Sequence, residues 1–180
     1  MDEDHQERDK DKTSSPAVDS PFSFKQDTPD STQPATPAKA AAYLEDLACK
    51  LLLAHNTLNH PASVEFCRNH MSPEFVMHNS SVHDNPLPRA VGFEAHITSY
   101  LAHQEAHPDF EIATDNATAS VDKDCLHAVV WVTEKGVNSE RDIGYNRESV
   151  SRMHFKRRPE DGAWVWYKHM GVRGGGDYFS

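Results

Sequence analysis

A chain of 180 residues that is 37% hydrophobic can build one cored domain and is too short for two comfortable ones. Its formal charge of -10 argues against a nucleic-acid-binding face, which needs clustered Lys and Arg; the one basic knot, Lys156-Arg157-Arg158, reads as solvated surface. Behind Met1-Asp-Glu-Asp there is no apolar run, so neither a secretory signal nor a membrane span is expected, and the address is intracellular: the cytoplasm, with the nucleus left open.

Residues 1–36 are mostly Asp, Glu, Lys, Ser, Thr, Pro and Gln, and such a composition cannot offset the entropy of ordering a chain. A disordered acidic leader is expected there, with Ser15-Pro16, Ser20-Pro21, Thr28-Pro29 and Thr36-Pro37 open to a proline-directed kinase. Order begins at Thr36-Pro37, a helix cap followed by a first-turn proline. Leu44, Leu47, Leu51 and Leu58 then recur at helical spacing, predicting an amphipathic helix that ends near Asn59-His60-Pro61. A second helix is expected from Ser63 as cap to Met71, and a short strand from Phe75 to Asn79.

After a turn-rich loop, Ser80 to Pro88, a third helix is expected from about Arg89 to His107. Its buried face would hold Phe93, Ile97, Tyr100, Leu101 and Gln104, with His96, His103 and His107 along the edge. The rest reads as strands, Phe110 to Val121, Cys125 to Glu134, Arg147 to Arg157 and Ala163 to Val172, separated by turn residues. Three helices with a run of antiparallel strands make an α+β arrangement. Cys49, Cys67 and Cys125 are odd in number and widely spaced, so reduced core thiols are expected. His103-Gln-Glu-Ala-His107 fits neither zinc-binding helix pattern, and no metal is expected. Residues 174–180, opening on Gly174-Gly-Gly176, read as a flexible tail.

The succession PEFVMHNS, GFEAHITSYL, HPDFEI, HAVVWV and SVSRMHFKRRPEDGAWVW resembles the nuclear transport factor 2-like superfamily, in particular its SnoaL-like, polyketide-cyclase-like branch, over a domain spanning residues 37–173. The resemblance implies a cone: a curved antiparallel sheet wrapped around three N-terminal helices, with a cavity at the wide end. It implies a small hydrophobic partner molecule, no cofactor, and acid–base chemistry of the isomerase, cyclase or dehydratase kind, within secondary metabolism. It also implies a homodimer through the outer sheet face. The alternative is a non-catalytic ligand-binding or dimerisation module, because this fold hosts both.

Within that frame the acid–base candidates are His78 and His169, histidine being the side chain most often used for such proton transfer, with Tyr100 as hydroxyl donor. Asn79 is a further polar contact, and Trp131, Met153 and Trp166 are the expected apolar walls. Cyclase-like relatives carry an acid near the end of the last strand. Here that stretch is Lys168-His-Met170, which counts against cyclase chemistry and leaves His169 as the substitute.

Overall fold

The computed structural model describes residues 36–79, 90–137 and 148–173. The expected leader, most of the loop after the first strand, and the Gly-rich tail lie outside them. Helix α1, Pro37–Ala54, opens as expected: Thr36 accepts from the Lys39 N–H through Oγ1 and proline occupies the first turn. Its leucine stripe, Leu44, Leu47 and Leu51, is buried in the core. The α-helix ends earlier than the stripe suggests, passing into a single tight turn at His55–Thr57. Asn56 explains the stop, since its side-chain amide bonds both the N–H and the C=O of Ile112, each at 2.8 Å.

Helix α2 runs Pro61–His70, with Pro61 in the first turn and His60 before it. Ser63, expected as its cap, is buried instead and shares a 2.7 Å hydrogen bond with the Thr57 hydroxyl. Strand β1, Met71–Asn79, starts four residues before the expected strand and carries Pro73 inside it. That is tolerated because β1 is the edge of the sheet and its register breaks between Met71 and Val76.

Helix α3, Phe93–Ala106, is tied to β1 at its start. Gly92 donates to Phe75 O at 2.6 Å, and Met77 donates to Ala90 O at 3.0 Å. Gly92 has φ 90 and ψ 152, a conformation that side-chain-bearing residues rarely adopt. Strands β2, Glu111–Val121, β3, His127–Val137, β4, Glu148–Arg157, and β5, Trp164–Arg173, complete a five-stranded sheet in the order β1-β5-β4-β3-β2.

The α+β class and the open, curved sheet agree with expectation. The sheet is mixed rather than antiparallel, however, because β1 pairs with β5 in parallel. One face of the sheet, carrying Ala128, Val130 and Val132 of β3, Met153 and Phe155 of β4, and Trp166 of β5, forms the core with the helices. No described helix is long and apolar enough to cross a membrane. Cys49, Cys67 and Cys125 are not joined in disulfides, and burial pushes Cys67 up to about 12.

Candidate functional site

Three adjacent strands bring polar side chains to the inner face of the sheet in successive rows. Val130 of β3 stands beside Met153 of β4, and Met153 beside His169 of β5. In the next row Val132 pairs with Ser151 and Ser151 with Gly171; in the one after, Glu134 pairs with Ser149. Residues on these diagonals lie within reach of one another. The Ser151 hydroxyl is 2.6 Å from Glu134 Oε1 and 2.7 Å from His169 Nε2, and Ser149 Oγ donates to the same carboxylate oxygen at 3.2 Å.

The hydroxyl has one proton, and with Glu134 ionised it donates that proton to the carboxylate. Ser151 Oγ then accepts from His169 Nε2–H, which leaves a lone pair on Nδ1. His169 Nδ1 is buried with no hydrogen-bond partner among the described residues. A Cβ added at Gly171, next to Ser151, would meet nothing within 4 Å, so space remains on this face beside the serine.

Tyr100 reaches the same region from α3. Its hydroxyl is likewise buried and without a partner among the described residues, and burial, reinforced by the Glu134 charge, pushes its pKa up. It is therefore a protonated donor. Behind it stands a histidine pair: His55 donates from Nδ1 to Leu51 O at 2.6 Å, and its Nε2 lies 2.8 Å from Nε2 of His96. The first bond fixes the His55 tautomer, so His96 is the donor in the second.

Aromatic rings enclose these groups. Trp166 lies 4.8 Å from Phe75, 6.1 Å from His55, 6.3 Å from His96 and 5.4 Å from His169, centroid to centroid, while His55 is 4.8 Å from Tyr100. Burial lowers the pKa of His55 to about 4, with the Leu51 bond opposing, and that of His169 to about 3, with charge on His55 and His154 adding to the effect. His96 is held well below the ordinary value by burial and then by charge on His55 and His169. Glu134 is shifted upward by burial, against the pull of its two serine donors. At neutral pH the three imidazoles are uncharged, as a low-dielectric interior requires.

The residues expected from sequence divide. His169, Tyr100, Met153 and Trp166 come together on the inner face. His78 does not join them. Met77 pairs with His169 and His78 with Met170, so strand alternation turns His78 to the opposite face. The side chain of Asn79 lies outside the described residues. Trp131 is not a wall: it is 39% exposed, on the outer face, with the Arg152 guanidinium 5.9 Å from its ring. Its neighbours Val130 and Val132 take the inner positions.

The histidines placed at the edge of α3 are also corrected. His96 and His103 are buried, whereas Leu101, expected inside, is exposed. Glu134, Ser151, His55 and His96 were missed. Glu134 continues the apolar alternation Ala128, Val130, Val132, and His55 extends the leucine stripe one turn past Leu51; a polar residue continuing an apolar periodicity was the available signal. Among the described residues no three His, Cys, Asp or Glu side chains are placed to hold a metal ion.

No protein-family model matches the chain, and no curated protein matches it in sequence. Solved structures do match. An NTF2-like protein with a cystatin-like fold from Novosphingobium aromaticivorans aligns with TM-score 0.56 at 15% identity, over 75% of this chain and 82% of that one. The fold is the nuclear transport factor 2-like fold. Two other matches carry functional names. A candidate ketosteroid isomerase from Shewanella frigidimarina aligns with TM-score 0.54 at 8% identity, over 71% of this chain and 92% of that one. The hexachlorocyclohexane dehydrochlorinase LinA-type3 from Novosphingobium barchaimii aligns with TM-score 0.53 at 14% identity, over 77% and 87%.

Proposed function

We propose that the inner face of this nuclear transport factor 2-like domain binds a small, uncharged, hydrophobic molecule, and that His169 and Tyr100 act on it by general acid–base chemistry of the isomerase, cyclase or dehydratase class. One observation carries the reading: His169 Nδ1, a lone-pair acceptor, and Tyr100 Oη, a donor, are both buried without partners among the described residues. Leaving a buried polar atom unpaired costs about 1–3 kcal/mol, so two in one aromatic-walled region are best accounted for by a ligand that pairs them. Among the described residues no Lys or Arg is buried, which favours a neutral ligand.

His169 removes a proton from carbon next to a carbonyl, and Tyr100 donates to the oxygen on which charge develops. The functional names of the two structural relatives, an isomerase and a dehydrochlorinase, are compatible with such chemistry. A passive binding module is the second reading, favoured by the low pKa of His169, about 3, which makes it a weak base. The outer face, where Trp131 and Val150 are exposed, is the candidate homodimer surface, checked by mass in solution.

The functional test uses β-tetralone, a flat neutral ketone with acidic α-protons, in deuterated water. The protein should accelerate exchange of those protons. His169→Gln and Tyr100→Phe should each lower the acceleration by at least about 10²-fold. Binding, seen as a tryptophan fluorescence change, without any acceleration would leave the passive module; neither binding nor exchange would overturn both readings.

A further inference from the structure

We propose that Glu134 is the terminal proton acceptor of a relay through Ser151 and His169, so that a proton taken from the ligand comes to rest on Glu134 and the imidazole is its conduit. The proposal rests on His169 being the base. Its ground is the unbroken line of short contacts across β3, β4 and β5: Glu134 Oε1 to Ser151 Oγ at 2.6 Å, and Ser151 Oγ to His169 Nε2 at 2.7 Å. The line ends in a buried ring nitrogen with no partner among the described residues.

In the step, the ligand C–H bond breaks and its electron pair passes into the carbonyl, giving an enolate, as His169 Nδ1 takes the proton. The Nε2 proton moves to Ser151 Oγ, and the serine proton moves to Glu134 Oε1. His169 and Ser151 finish neutral, both hydrogen bonds persist with reversed polarity, and the single negative charge has moved from Glu134 to the ligand oxygen, where Tyr100 donates. Return of the proton runs the line backwards. No new ion pair is created in the interior, whereas a proton resting on His169 would place a cation in a ring that burial holds neutral.

The groups facing Glu134 suit this role. Ser149 and Ser151 of β4 donate to it, Tyr100 of α3 interacts with its charge, Thr114 of β2 is its register partner, and His169 of β5 reaches it through Ser151. Burial raises its pKa against the pull of the two serines, which eases its uptake of a proton at the end of the line. Because Glu134 would act through other residues, a loss of activity alone would not establish the relay.

The experiment is nitrogen NMR of the His169 ring in the full chain, with infrared detection of the Glu134 carboxyl. In the free protein at neutral pH the ring should be the Nε2–H tautomer, and Ser151→Ala should shift its Nε2 resonance; an Nδ1–H ring overturns the proposal without any ligand. With para-nitrophenol as probe, whose colour reports its own ionisation, the ring should switch to Nδ1–H while staying neutral, and a protonated-carboxyl band should appear that Glu134→Gln removes. A doubly protonated ring over an ionised Glu134, or a bound probe that stays un-ionised, overturns the relay.

In the β-tetralone assay Glu134→Gln should lose about 10²-fold in exchange, with Glu134→Asp partly restoring it. Full activity of Glu134→Gln beside an inactive His169→Gln would sink the relay and leave the function standing. A wild-type protein that neither binds nor exchanges the ketone would overturn the function itself, and the relay with it.

Discussion

Acidification should unfold this domain early, because its interior histidines accept protons in the unfolded chain well before they do in the folded one. At roughly 1.4 kcal/mol per pH unit between the two values, keeping His55 neutral from 6.5 down to about 4 corresponds to about 3 kcal/mol. For His169, from 6.5 to about 3, the figure is about 5 kcal/mol on the same basis. His96 is shifted the same way, as are the less buried His70 and His154. The sign is fixed by linkage: with the folded pKa depressed, stability is full above pH 6.5 and falls as pH drops below it, because the unfolded state binds more protons.

Glu134, raised by burial, works in the opposite sense and offsets up to about one proton. The net expectation is an uptake of about two to three protons on unfolding, or roughly 3 to 4 kcal/mol of stability lost per pH unit between about pH 6 and pH 5. That is a large share of the roughly 5–15 kcal/mol typical of a whole domain. Urea unfolding followed by tryptophan fluorescence at several pH values gives the slope directly. A slope below about one proton would mean that these rings are hydrated in the folded state, and the argument for a dry, polar-edged interior would fail.

Other substitutions separate architecture from site. Asn56→Ala leaves both the N–H and the C=O of Ile112 without their partner and should cost about 1–3 kcal/mol in urea unfolding; a neutral result would mean that water replaces the amide. Gly92→Ala places a side chain at φ 90 and should cost about 1–3 kcal/mol from backbone strain, since the added Cβ would lie 3.5 Å from Pro73 O, an ordinary contact. Trp131→Ala, on the outer face, should forfeit only about 0.5–1 kcal/mol of its contact with Arg152 and leave β-tetralone exchange unchanged. A loss of exchange there would contradict the assignment of the inner face.

Helix periodicity and strand alternation revealed the order of elements and the buried leucine stripe, but not the phase of β3, where Val130 and Val132 rather than Trp131 face inward. Nor could they reveal phase after an irregularity. On strict alternation Trp166 and His169 belong to opposite faces of β5. The register instead passes from His154 opposite Lys168 to Phe155 opposite Trp166, so Tyr167 is an extra residue that shifts the phase and brings both rings inside. Trp166 spans the irregularity by donating from Nε1 to Lys168 O at 3.0 Å.

The resemblance implied a carboxylate near the end of β5; the one that contacts Ser151 stands on β3 instead. Only the register across β4 makes Glu134 a neighbour of His169 through Ser151. The parallel pairing of β1 with β5 was equally hidden, because it joins the first strand to the last, and nothing local in Met71–Asn79 specifies that partner.

The central claim, that His169 and Tyr100 work as base and donor on a neutral ligand, is tested most directly by α-proton exchange of β-tetralone in deuterated water with wild-type protein and His169→Gln side by side. The account predicts accelerated exchange by the wild type and at least about 10²-fold less by the variant, with both binding the ketone. Equal exchange rates in the two proteins, with the ketone bound to each, would contradict it.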